Sequence, residues 1–200
     1  MKDEVHGMKR RFFVIATLLT AIFALAACGG KASEYNKLNE MLDASYSKIE
    51  LTVTDTFGDL SLESKYTIRY SDSGITVGYT VEKFAEVTLD NPSIGLKTTL
   101  TGEAVIEDGV VVSVNGDDID LGADIAKTGL TFKKEFFKKA ELTDSRLKAD
   151  VKDASGFLGT QLTCTDMKVE AAFGDVLYNI NIVYTSEGGN EVKYAYVFTL

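Results

Sequence analysis

The sequence predicts an α+β fold: a long, curved antiparallel β-meander, in effect a half-barrel, covered by an N-terminal helix and a helical insertion. Three observations predict it. Strict apolar–polar alternation runs through several segments, tight-turn residues separate them, and two stretches carry helical spacing instead. The helix comes first. Tyr35, Leu38, Met41, Leu42 and Tyr46 form one stripe over residues 34–46, and Ser33 is placed to cap its start. The strands follow. Ile49, Leu51 and Val53 share one face, and Leu60, Leu62, Tyr66, Ile68 and Tyr70 share the next. The turn Ser71-Asp72-Ser73-Gly74 leads to Ile75, Val77, Tyr79 and Val81. Leu96, Leu100, Ala104 and Ile106 then alternate with Lys97, Thr99, Thr101 and Glu103. Asp108-Gly109 is a hairpin signal, Val110, Val112 and Val114 carry the returning strand, and Asn115-Gly116 marks the turn after it. Pro92, the single proline, falls in a connection.

A different segment spans about residues 123–160. Phe132, Phe136, Phe137 and Ala140 make a short helical stripe, with Lys133, Lys134, Lys138 and Lys139 around it. Leu147, Ala149 and Val151 form an apolar run before a helical turn that ends Gly156-Phe157-Leu158-Gly159. Three more strands close the chain. Met167, Val169, Ala171 and Phe173 lead through Gly174-Asp175 to Val176, Tyr178, Ile180, Ile182 and Tyr184. The turn Gly188-Gly189-Asn190 then leads to Val192, Tyr194, Tyr196, Phe198 and Leu200. Nine or so strands of this kind make a meander that is apolar on one side. Such a face has to be covered, and a sheet of this many strands curls. The two helical stretches are the available cover.

The N-terminal segment is of another kind. Lys9-Arg10-Arg11 precedes an apolar run, and Leu25-Ala26-Ala27-Cys28 ends it. Charge, apolar length, small residues and cysteine fall in the order of a secretory leader. The run Phe12 to Ala27 is shorter than the roughly 20 residues a spanning helix needs. The start is Met1 or Met8, since Asp3 and Glu4 are out of place in a basic leader. This segment resembles the signal peptide of bacterial lipoproteins. The resemblance implies that residues 1–27 are removed and that Cys28 carries a diacylglycerol on its sulfur. It also implies a protein held on the outer, extracytoplasmic face of a cell membrane, since two acyl chains anchor stably. Residues 28–33 would then be the lipidated cysteine and a short tether, and 34–200 a single domain beside the bilayer.

Composition excludes several functions. The chain has 200 residues and a net charge of −9. Removing 27 residues would leave 173, and the balance would become −11, because the leader holds four basic and two acidic residues. Nucleic-acid binding, which rests on clustered Lys and Arg, is not expected. The single histidine, His6, lies in the leader, so the mature domain has no Ser-His or Cys-His catalytic pair and no His-based metal site. No cofactor is expected. Cys164 has no cation beside it to stabilise a thiolate and reads as a small half-buried side chain. Asp117, Asp118, Asp120 and Asp124 lack EF-hand spacing and read as a solvated loop. Phosphate-cradling and nucleophile-elbow motifs are absent, and no carboxylate pair is marked for sugar hydrolysis.

Two features remain. Tyr66, Tyr70, Tyr79, Tyr178, Tyr184, Tyr194 and Tyr196 all fall in the apolar strand register. They either line a cavity for an amphiphilic ligand or fill a core and reach its rim with their hydroxyls. The phenylalanine–lysine stripe, with Phe136, Phe137, Lys133, Lys134, Lys138 and Lys139, is either a membrane contact or a solvated helix face balanced by Glu135 and Glu141. The element order is similar to that of the LolA-like carriers of lipids and lipoproteins, an order-level likeness that carries no site residues. The expectation is a non-enzymatic, membrane-anchored lipoprotein. It binds an apolar or amphiphilic molecule, such as a lipid, between sheet and helices. The alternative is an interaction lipoprotein of the cell envelope with a filled core and an unknown protein partner.

Overall fold

Ten strands lie in one open antiparallel sheet in the computed structural model, which describes residues 30–71, 74–84, 97–107, 110–119 and 129–200. In chain order the elements are α1 (Gly30–Leu42), β1 (Lys48–Phe57), β2 (Leu60–Ser71), β3 (Gly74–Phe84), β4 (Lys97–Glu107), β5 (Val110–Gly116), β6 (Phe137–Leu142), β7 (Arg146–Val151), α2 (Ala154–Leu158), β8 (Cys164–Phe173), β9 (Leu177–Ser186) and β10 (Glu191–Thr199). A single 3-10 turn, Lys134–Phe136, precedes β6. Across the sheet the order is β5-β4-β3-β2-β1-β10-β9-β8-β7-β6. The chain therefore starts in the middle, meanders out to one edge, reappears at the opposite edge and meanders back until β10 pairs with β1.

The register puts one set of side chains inward. Leu51 stands opposite Tyr66 on one side and Tyr196 on the other. Ile68 meets Val77, Val77 meets Ala104, and Tyr194 meets Ile182, which in turn meets Val169. All of these are buried in one core, with Tyr35, Leu38 and Met41 of α1 in the same cluster. A period of two on a strand leaves the opposite face polar, and there Arg146 and Lys148 both reach Glu170, at 2.7 and 3.1 Å. These two cations hold the Glu170 carboxyl below the usual carboxylate range. A depressed folded-state value stabilises above the unfolded pKa and is lost as the pH falls through the folded one. The Glu170 side chain is 41% exposed, so water screens the pair. Glu170→Gln is expected to cost less than about 1 kcal/mol at neutral pH and nothing in strong acid, which paired urea melts will read.

Four departures from the expected pattern stand out among the described residues, beside the exposure of Leu60 and Leu200 at strand ends. First, α1 begins at Gly30 and ends at Leu42, so Ser33 lies inside the helix and Tyr46 beyond it. Nothing in Lys31-Ala32-Ser33 resists helix, which extends the element toward the N-terminus. Second, residues 137–151 form a hairpin, not a helical insertion. Pairing with β7 and β8 satisfies the backbone of a segment whose own spacing favours helix, an instance of tertiary context overriding local preference. The expected helical turn does form, as α2. Asp153 caps it by accepting from Gly156 N–H at 2.9 Å, and Gly159 closes it at φ 67°. Third, Val110, Val112 and Val114 form the expected strand but are exposed, because β5 is an edge strand. Fourth, Tyr178 is 53% exposed while Leu177 is fully buried. A register shift at Ala172/Phe173 puts Leu177 opposite Phe173 and turns Tyr178 outward. The turns Asp72-Ser73 and Asp108-Gly109, Leu96, Pro92, Asp120 and Asp124 lie outside the described residues, although Ser71 pairs with Gly74 and Glu107 with Val110 across the two turns.

The two edges differ in kind. β6 carries Lys138 and Lys139, with Lys139 at φ 50° and a register shift beside it, devices that discourage further pairing. β5 has no charged residue over Val110–Gly116.

Candidate functional site

The interior combines aliphatic strand residues with a set of packed rings. Phe132, Phe137 and Phe157 form a triangle with centroid distances of 6.2, 5.5 and 5.3 Å, and Tyr35 of α1 stacks on Phe137 at 5.7 Å. Such contacts add to the area term. Asn39 of α1 clamps the segment before β6: its Nδ2 donates to Phe132 O at 2.8 Å, and its Oδ1 accepts from Phe132 N–H at 2.7 Å.

Five of the seven tyrosines singled out by register sit in this interior. Tyr66, Tyr79, Tyr184, Tyr194 and Tyr196 are each 5% exposed or less. Their hydroxyls are occupied within the protein where partners are resolved. Tyr184 and Tyr194 stack at 5.9 Å with their hydroxyls 3.3 Å apart. Tyr79 crosses Gly102, where a Cβ would collide with its ring, and donates to the Asp117 carbonyl. Burial, with Asp117 and Asp118 beside it, raises the Tyr79 hydroxyl above its ordinary value. These rings form the core itself, while Tyr178 stands outside it.

Tyr70 is different. It lies on the inner face at the end of β2, 43% exposed, and forms the rim of a pocket. The cavity measures about 340 Å³ and lies between the end of α1 and the strands beneath it, lined by Leu42, Ala44, Tyr46 and Ile49, with the exposed Asp43 and Ser45 at its mouth. A smaller space of about 80 Å³ adjoins it and shares Leu42, Ile49 and Tyr70. Leu130, Tyr196 and Phe198 line that second space. Burial raises the Tyr70 hydroxyl, which stays protonated at physiological pH and available as a donor.

Tyr46 holds the pocket wall. Its hydroxyl donates to Met41 O at 2.8 Å and accepts from Leu177 N–H at 3.1 Å, and its ring packs on Phe198 at 5.0 Å. Burial raises this hydroxyl, and the Leu177 bond partly offsets the rise. Tyr46→Phe leaves the Leu177 N–H without its partner in a buried setting and is expected to cost about 1–3 kcal/mol by urea denaturation. Tyr46 and the turn 43–46 escaped the register argument because they follow a helix and belong to no alternating strand. The helical stripe, which includes Leu42 and Tyr46, was the only sign of them.

The phenylalanine–lysine stripe is divided by the fold. Phe137 is buried and cannot serve as a membrane contact. Phe136 is half-buried, with Lys133 Nζ 5.4 Å from its ring centre. Lys134 and Lys138 are exposed, and Lys139 pairs with Asp150 at 3.5 Å. Cys164 is half-buried and its thiol is raised by burial, which disfavours the thiolate. Among the described residues no group of three His, Cys, Asp or Glu is placed to hold a metal, and no helix is long and apolar enough to cross a membrane.

Neither a protein-family model nor a curated protein matches this chain.

Proposed function

We propose that this chain is a lipid-anchored, extracytoplasmic binding protein, without catalytic activity, that holds a small apolar or amphiphilic molecule in the pocket beside the end of α1. The ten-stranded sheet curves as a half-barrel, and α1, the segment 129–136 and α2 cover its concave side. The lipoprotein-like leader supports attachment through Cys28, which keeps the domain beside a bilayer where such molecules are found.

The observation that carries this reading is the cavity itself. About 340 Å³ lies within the range of small-molecule sites, which are apolar with a few placed polar groups. Here Leu42 and Ile49 supply apolar surface, and Tyr70 and Ser45 supply hydroxyls. The interior tyrosines favour a second reading, an interaction lipoprotein with a filled core, because their rings and hydroxyls satisfy one another.

Filling the pocket separates the two. Ser45 is exposed at its mouth, and the chain has no tryptophan. Ser45→Trp is expected to occupy the cavity, to report it by fluorescence and to abolish uptake of hexanol with little loss of stability. Hexanol uptake that the parent protein lacks altogether, or that Ser45→Trp leaves unchanged, refutes the pocket reading.

A further inference from the structure

We infer that the pocket selects an amphiphile whose head is a protonated amine, in preference to a neutral or carboxylate head. The inference rests on the binding reading above and deepens it. α1 ends at Leu42, on the pocket wall, so the negative end of its dipole is directed there. The last turn of α1 has no basic residue, and the next residue, Asp43, adds a full negative charge at the mouth. A carboxylate at a helix C-terminus is unfavourable for the helix, because cations are what that end attracts. No Lys, Arg or His lines either space. Lys48 pairs with Glu50 at 3.2 Å, and Arg69 stands opposite Lys48 in the register. The Tyr70 hydroxyl can accept as well as donate, and the Ser45 hydroxyl likewise. The mouth thus offers one charge, two hydroxyls and a dipole end, all suited to an ammonium group, over an apolar floor suited to a short alkyl body.

The test uses the full chain, processed by a bacterial host and held in phosphatidylcholine nanodiscs, with ¹³C-methyl shifts of Leu42 and Ile49 as the readout, so that partition into lipid is not scored. Hexylammonium, hexanol and hexanoate are titrated in turn. The expected order of affinity is hexylammonium, then hexanol, then hexanoate, with the two ions about tenfold apart. Asp43→Asn is expected to narrow that ratio at least about threefold. Hexanol binding with equal affinity for the two ions, or with hexanoate the tighter, overturns the head-group inference and leaves the pocket reading standing. An Asp43→Asn variant with the parent's ratio overturns the role of Asp43. Methyl shifts that none of the three molecules moves overturn the pocket reading itself.

Discussion

Replacing Phe157 by alanine is expected to remove about 3–5 kcal/mol of folding stability. Its ring is fully buried in α2 and meets Phe132 and Phe137 edge-on at 5.5 and 5.3 Å. Truncation leaves a cavity inside that triangle, and cavities add to the lost transfer energy when neighbours cannot collapse. Collapse is difficult here. Phe132 is fixed through its backbone by Asn39, and Phe137 is a strand residue paired with Val151. A single-domain protein is stable by only about 5–15 kcal/mol, so this one change removes a large part of the total. Urea denaturation followed by circular dichroism measures it. A loss below about 1 kcal/mol would mean that the triangle is not a tightly packed part of the core.

The second large effect is expected at Asn39. Leucine has the same number and branching of side-chain heavy atoms and cannot hydrogen-bond, so Asn39→Leu removes both bonds to Phe132 while keeping the side chain's shape. Both the N–H and the C=O of Phe132 lose their partner, in a site where Phe132 itself is 1% exposed. The expected loss is about 2–4 kcal/mol, since each unsatisfied buried group costs about 1–3. Amide exchange adds a local readout. The Phe132 amide is expected to exchange at least about tenfold faster in the variant, while amides in the centre of β9 slow or quicken only with global stability. An unchanged Phe132 amide would show that α1 is not clamped to this segment.

Much of the sheet was legible because a strand with one buried face writes a period of two into its sequence. The hairpins β2–β3, β4–β5, β8–β9 and β9–β10 follow from alternation and turn residues alone. The pairing of β1 with β10 was not legible: Leu51 and Tyr196 are 145 positions apart, and nothing local records which strand will lie beside which. Nor was the exposure of β5, because valine carries the same strand preference at an edge as at the centre. Tyr178 shows how a local irregularity defeats a parity argument: Leu177 takes the inward place, while Ile180, Ile182 and Tyr184 keep the expected face. The hairpin at 137–151 was hidden by lysines and alanine, which favour helix until a neighbouring strand supplies hydrogen bonds.

Tyr70 and Tyr196 belong both to the tyrosine set and to the lining of the two spaces. Tyr66, Tyr79, Tyr184 and Tyr194 line neither space, because register reports which face a ring occupies and says nothing of whether another ring already fills the space in front of it.

The account is tested most directly by photo-crosslinking. An alkyl diazirine is bound to the purified protein, irradiated, and its adducts are mapped by peptide mass spectrometry. The account predicts adducts at Leu42, Ser45, Ile49 and Tyr70, and their loss when excess hexylamine is added. Adducts concentrated at Tyr184 and Tyr194, or spread evenly over the sheet, would contradict it.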